Sequence, residues 1–185
     1  MPANAVYRRA RFDESGPAGA PSIILLHGSV VTRTMWRPQL ETLGDTWHVV
    51  APDLPGHGAA AARPFTFDVA VSEVIDLARD LGGRVLLGGL SLGGYTAMLA
   101  AARSPQLVAG LVVAGASVNF TGPMATYLKA VSWVLGQGWL RPSAATLERR
   151  TRALFPPALS RLADLQVADG MYPDPLAPAF GAMAR

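Results

Sequence analysis

The sequence contains no cysteine. That excludes disulfide bridges and thiolate metal sites, and with them the disulfide-stapled secreted domains. Histidine is almost as scarce. The chain has three, His27, His48 and His57, and they are not spaced as metal ligands. The longest apolar stretch near the middle, Leu107 to Val118, falls short of the ~20 residues a membrane-spanning helix needs. The N-terminal segment MPANAVYRRARFDESG lacks the apolar region of a secretory signal. These absences predict a soluble, cytoplasmic protein. Charge is sparse too, at 16% of residues, with a formal net charge of +3. Residues 1–117 carry nine basic and nine acidic side chains, so the excess lies after residue 117. There it consists of scattered arginines and one short cluster, Arg149, Arg150 and Arg152. A nucleic-acid surface needs a denser basic stripe with interleaved aromatics, so a solvated helix face is the better reading.

What is present is apolar sequence: half of the 185 residues, enough for one domain with its own core. In the first 118 residues it comes in an alternating pattern. Ser22 to His27 is a short continuous apolar run, as a strand buried on both faces would be. Met35 to Leu43 reads as a helix, and Trp47 to Ala51 as a second buried strand. Asp53-Leu-Pro-Gly-His-Gly58 is turn chemistry. Asp68 is a candidate N-cap for a helix carrying Val71, Val74, Ile75, Ala78 and Leu81 on one face, closed by Gly82-Gly83. Arg84 to Gly88 is a third strand, Leu92 to Arg103 a helix, and Leu111 to Ala114 a fourth strand. The segment Ala5 to Phe12 adds an outer strand. This alternation predicts an α/β fold, a mostly parallel sheet covered by helices on both faces.

After residue 118 the strands stop. Met124, Tyr127, Leu128, Val131, Val134 and Leu135 share one helical face. Leu147, Thr151 and Leu154 suggest a second helix, Leu159, Leu162 and Leu165 a third, and the tail from Asp169 holds one more short helix. Residues 1–118 therefore read as the sheet-bearing core, and residues 119–185 as a helical cap.

Two motifs carry chemistry. Gly89-Leu90-Ser91-Leu92-Gly93 joins the third strand directly to a helix. A serine in such a turn is forced into a strained backbone, so Gly89 and Gly93 must lack side chains. The turn lifts the hydroxyl above the carboxyl edge of the sheet, where the N–H groups that start the helix also converge. The second motif, His27-Gly28-Ser29, ends another buried strand. The pentapeptide alone is weak; its strand–turn–helix setting and this second motif make it informative.

The stretches LLHGSVVTRTMW, HVVAPDLPGHG and LLGGLSLGGYTAMLAA, in that order over about residues 20–117, closely resemble the α/β-hydrolase superfamily. The resemblance implies that Ser91 is the nucleophile and that two backbone N–H groups form an oxyanion hole. One belongs to Leu92 and the other to Ser29, with Val30 as the alternative. It further implies a small-molecule substrate; the histidine spacing, and Gly-rich turns that match neither a P-loop nor a dinucleotide fingerprint, imply no metal and no cofactor. Serine at this turn, rather than aspartate, favours acyl chemistry on an ester or related group through an acyl-enzyme.

The same resemblance exposes a gap. In the family a carboxylate and then a histidine follow the serine. Here all three histidines precede Ser91. Asp164, Asp169 and Asp174 lie in the cap segment, and Asn119 is an amide. Asp53 precedes the serine and is expected to brace its loop. The acid and base are thus not present in this chain. A complete member would carry about 70–100 further residues. The sequence reads as a fragment that lacks the C-terminal strands and helix, leaving the Leu111–Ala114 strand as an unpaired edge. A degenerate hydrolase, or a chain completed by a partner, are the other readings. A non-catalytic ligand-binding member of the same fold is the alternative to an enzyme.

Overall fold

The structure, a computed structural model, describes residues 7–8, 12–117, 122–137 and 142–183. Six strands form one sheet in the order β1-β2-β4-β3-β5-β6. They are β1 (Tyr7–Arg8), β2 (Phe12–Ser15), β3 (Ser22–Leu26), β4 (His48–Pro52), β5 (Val85–Leu90) and β6 (Val108–Ala114). The strands β4, β3, β5 and β6 run parallel, while β1 and β2 are antiparallel additions at one edge. The outer N-terminal strand is therefore two short strands rather than one.

The apolar runs split between the two faces because successive side chains alternate. Ile24 and Leu26 of β3 join Val85 and Leu87 of β5 in the larger core cluster, under helices α2 (Phe67–Asp80) and α3 (Leu92–Arg103). Ile23 and Leu25 join Val49 and Ala51 on the other face, under α1 (Arg37–Leu43). Each fully buried leucine or isoleucine contributes about 1.5–3 kcal/mol of apolar transfer. The outer edge of β6 pairs with no strand among the described residues, and Leu111 and Val112 are exposed there.

Several local expectations are corrected. The N-cap of α2 is Thr66, whose hydroxyl accepts from the Val69 N–H. Asp68 sits one residue inside α2 and pairs with Arg103 at 2.7 Å. Both Thr66 and Asp68 suit a helix start, and the extended backbone of Thr66 decides between them. The expected helix from Met35 begins as a single 3-10 turn over Arg33–Trp36 before α1. Strand β5 runs on through Gly89 to Leu90, so the turn is confined to Ser91.

Four helices follow: α4 (Pro123–Gly136), α5 (Ala144–Leu154), α6 (Ser160–Ala168) and α7 (Leu176–Met183). Ala163 and Gln166, rather than the three leucines, form the buried face of α6. Helix α7 packs along α4, with the Ser132 hydroxyl donating to the Ala177 carbonyl at 2.7 Å. Ala179 of α7 also belongs to the larger core cluster, so this helix reaches the core as well. Val118, Asn119 and Trp139, which figure in the sequence reading, lie outside the described residues.

Candidate active site

Strands β3 and β5 are neighbours, with Leu26 in register with Gly89. The two motifs therefore leave the sheet side by side at its carboxyl edge. Ser91 has φ 48° and ψ −113°, a conformation few residues other than glycine adopt. Its N–H donates to the Ala114 carbonyl at 2.8 Å and its C=O accepts from the Tyr95 N–H at 3.0 Å. The strained turn is thus held from β6 and from the first turn of α3. The Ser91 hydroxyl makes no capping bond to α3, so it is not committed to the helix it begins. A Cβ on Gly89 would collide with the Gly93 carbonyl group, and one on Gly93 with the Leu26 carbonyl group. These contacts explain why both positions are bare: helix α3 is pressed onto the ends of β5 and β3.

Leu92, fully buried, is the first residue of α3, where an N–H has no acceptor within the helix. Gly28 lies against Leu90, its ideal Cβ position 3.6 Å from the Leu90 carbonyl oxygen. That contact brings the Gly28–Ser29 segment beside the serine turn. Val30, the alternative oxyanion residue, has φ 62° and forms an antiparallel bridge with Tyr172.

Both ring nitrogens of His27 and the Nδ1 of His57 have partners in nearby loops, His57 Nε2 is buried without one among the described residues, and His48 lies at the far edge of the sheet. His27 is fully buried, with Nδ1 2.8 Å from the Gly28 carbonyl and Nε2 accepting the Leu54 N–H at 2.9 Å. Those partners define a neutral ring protonated on Nδ1. Burial, with a smaller contribution from Arg33, lowers its pKa to about 4. His57 is equally buried, stacks edge-on against His27 and approaches the Pro55 carbonyl through Nδ1 at 2.9 Å. Burial first, and His27 second, lower its pKa to about 3. A base this weak takes little of a serine proton at neutral pH. His48 opens β4 at the amino edge of the sheet, opposite Ser91, and pairs with Glu14 at 3.3 Å.

Asp53 braces the loops as expected. Its carboxylate accepts the Arg33 N–H at 3.0 Å and the Ala59 N–H at 2.9 Å. The Arg33 guanidinium, 3% exposed, lies between Asp13 at 3.2 Å and Asp53 at 3.4 Å. Sequence reasoning missed this buried triad, and also missed Thr32 and Thr34, whose hydroxyls both donate to Asp169. The available signal was the Thr32-Arg33-Thr34 run two residues after the second motif, polar sequence close to a buried strand. Among the described residues no group of three or more histidine, aspartate or glutamate side chains could hold a metal ion. An open cleft of about 660 Å³ lies between Phe12, Leu54, Ala60, Arg63 and Val74. Neither Ser91, Ser29 nor Leu92 lines it.

Residues 23–184 match the sequence profile of the alpha/beta hydrolase family. A pimeloyl-(acyl-carrier protein) methyl ester esterase of Neisseria meningitidis is 36% identical over 118 residues, 62% of this chain and 44% of that protein. Lipase LipV of Mycobacterium tuberculosis is 32% identical over 149 residues, 78% of this chain and 56% of that protein. The chain thus spans about half the length of these curated relatives. A solved esterase from Thermogutta terrifontis superimposes with a TM-score of 0.75 at 25% identity, over 94% of this chain and 66% of that one.

Proposed function

Because the chain belongs to the alpha/beta hydrolase family, we propose that it is the nucleophile-bearing part of a serine hydrolase acting on an ester-like acyl substrate. The observation that carries this is the backbone of Ser91: φ 48°, at the start of α3, with its hydroxyl free of the helix cap. Such strain persists where the surrounding structure imposes it, and it clusters at reacting residues. Ser91 Oγ attacks the acyl carbonyl, and its proton passes to a base other than the three histidines. The oxygen that gains charge is met by the N–H groups of Leu92 and Ser29. The alcohol leaves with a proton, and water then releases the acid from Ser91. Residues 119–185 act as the cap over the acyl group. The Neisseria and Mycobacterium relatives, a methyl ester esterase and a lipase, support an ester over other acyl groups.

A second reading, a non-catalytic binding protein of the same fold, is favoured by one observation: both ring nitrogens of His27 are used internally, and burial keeps His57 a very weak base. A fluorophosphonate probe separates the two. A nucleophile gives slow covalent labelling that Ser91→Ala abolishes. Folded protein that does not label, or labels equally after Ser91→Ala, overturns the nucleophile assignment.

A further inference from the structure

The segment after the Gly28–Ser29 turn is anchored in two directions. Arg33 points into the core, where its N–H and guanidinium meet Asp53 and Asp13. Its neighbours point the other way. The Thr32 hydroxyl donates to Asp169 Oδ2 at 3.0 Å, and the Thr34 hydroxyl donates to the same oxygen. Asp169 follows α6, which itself packs against the Arg33–Trp36 turn. Three residues on, the Tyr172 N–H donates to the Val30 carbonyl at 3.1 Å, and the Tyr172 hydroxyl returns to the Asp169 carbonyl at 3.0 Å. The Tyr172 ring packs on buried His57 at 6.0 Å between centroids. Val30, gripped at its carbonyl, holds φ 62°, unfavourable for a β-branched residue unless its neighbours impose it.

We infer that Asp169 is a positioning residue, which with the Tyr172 N–H latches the helical segment onto residues 30–34 and so fixes the Ser29 and Val30 amides. The inference rests on the assignment of Ser91, Ser29 and Leu92 made above. One carboxylate oxygen receives two hydroxyls, and charge-assisted bonds of this kind are about twice as strong as neutral ones. The bridge at Val30 then orients the peptide beside Ser29. An oxyanion hole works only when its donors are in place before charge develops, so a loosened loop slows the covalent step without weakening encounter with the probe.

The test uses the 185-residue chain with Asp169→Ala, Asp169→Asn, the pair Thr32→Val plus Thr34→Val, and Asp164→Asn. The last breaks the Arg152–Asp164 pair between α5 and α6 and leaves the loop untouched. Amide hydrogen exchange is read on the peptide covering residues 28–36. Asp169→Ala should speed exchange there by about tenfold, Asp169→Asn by less, and Asp164→Asn not at all. The double threonine variant should speed exchange more than Asp169→Ala, because the Thr32 hydroxyl also accepts the Thr34 N–H and caps the Arg33–Trp36 turn, and adding Asp169→Ala to it should change nothing further. In parallel, the maximal fluorophosphonate labelling rate of Asp169→Ala should fall about tenfold with half-saturation unchanged, and Asp169→Asn should recover part of it. Unchanged exchange over residues 28–36 in Asp169→Ala overturns the latch, whether or not the chain labels. Exchange that rises while labelling stays at the wild-type rate overturns its link to the oxyanion amides. A wild type that does not label removes the nucleophile assignment and, with it, that link.

Discussion

Lowering the pH from 7.5 to 5.0 should cost the folded state about 4 kcal/mol through His27 and His57 alone. Both rings are fully buried, and their pKa values fall to about 4 and about 3. In the unfolded chain each returns to about 6.5. Above pH 6.5 neither state holds these protons, so the folded state keeps its full stability. Below 6.5 the unfolded chain takes up both protons while the folded rings stay neutral. Stability is therefore lost as the pH falls, by about 1.4 kcal/mol per unit for each ring, until the folded pKa values are reached. At pH 5.0 each ring has travelled about 1.5 units, or about 2 kcal/mol. The groups around the pair fit this direction: Arg33 opposes protonation of His27, and the Asp53 carboxylate only partly offsets burial at His57. The assay is urea unfolding followed by circular dichroism at pH 7.5, 6.5, 5.5 and 5.0. His57→Phe keeps a ring between His27, Phe65 and Tyr172. It leaves the Pro55 carbonyl without its donor, at about 1 kcal/mol at pH 7.5. Its loss between pH 7.5 and 5.0 should then be about 2 kcal/mol smaller than that of the wild type. Comparing the two proteins removes the contribution of the carboxylates, which is common to both. Equal acid losses in variant and wild type, or a wild type equally stable at pH 7.5 and 5.0, would refute the reasoning.

Two further outcomes test the frame around the site. Ser91→Gly should raise stability by about 1 kcal/mol, because glycine takes a positive φ without strain, while Ser91→Ala should stay within about 0.5 kcal/mol of wild type; an unfolding midpoint for Ser91→Gly at or below that of Ser91→Ala would show that the turn is unstrained. Arg33→Met should cost about 3–5 kcal/mol at neutral pH, because Asp13 and Asp53 would remain buried beside each other without the guanidinium between them; thermal unfolding that moves by less than about 3 °C would count against the triad.

What could be read from the sequence, and what could not, divides along the range of the forces involved. Strands β3 and β4 were legible because Ile24, Leu26, Val49 and Val50 are buried so completely that apolar residues had to run without interruption. The start of α3 was legible because the turn at Ser91 is a local steric problem, and Gly89 and Gly93 are its local solution. Pairings across the chain left no such mark. Asp53 reaches Arg33 across 20 positions, and Asp169 reaches Thr34 across 135. An aspartate at the head of a tail rich in Pro, Gly and Ala looks the same whether it faces water or two threonine hydroxyls. Helix α7 illustrates the same limit: the tail announced a short helix, but nothing in its composition announced that Ala179 would enter the core. The site divides in the same way. Its backbone half, the strained serine and the amides at the ends of β3 and β5, follows from short-range sterics and is written in ten or so residues. No comparable local signature marks a proton acceptor for Ser91, and the three histidines here are held by local needs. His27 and His57 make hydrogen bonds to the loops at the carboxyl edge of the sheet, and His48 pairs with Glu14 at the opposite edge. Each ring is placed where its own neighbourhood requires it.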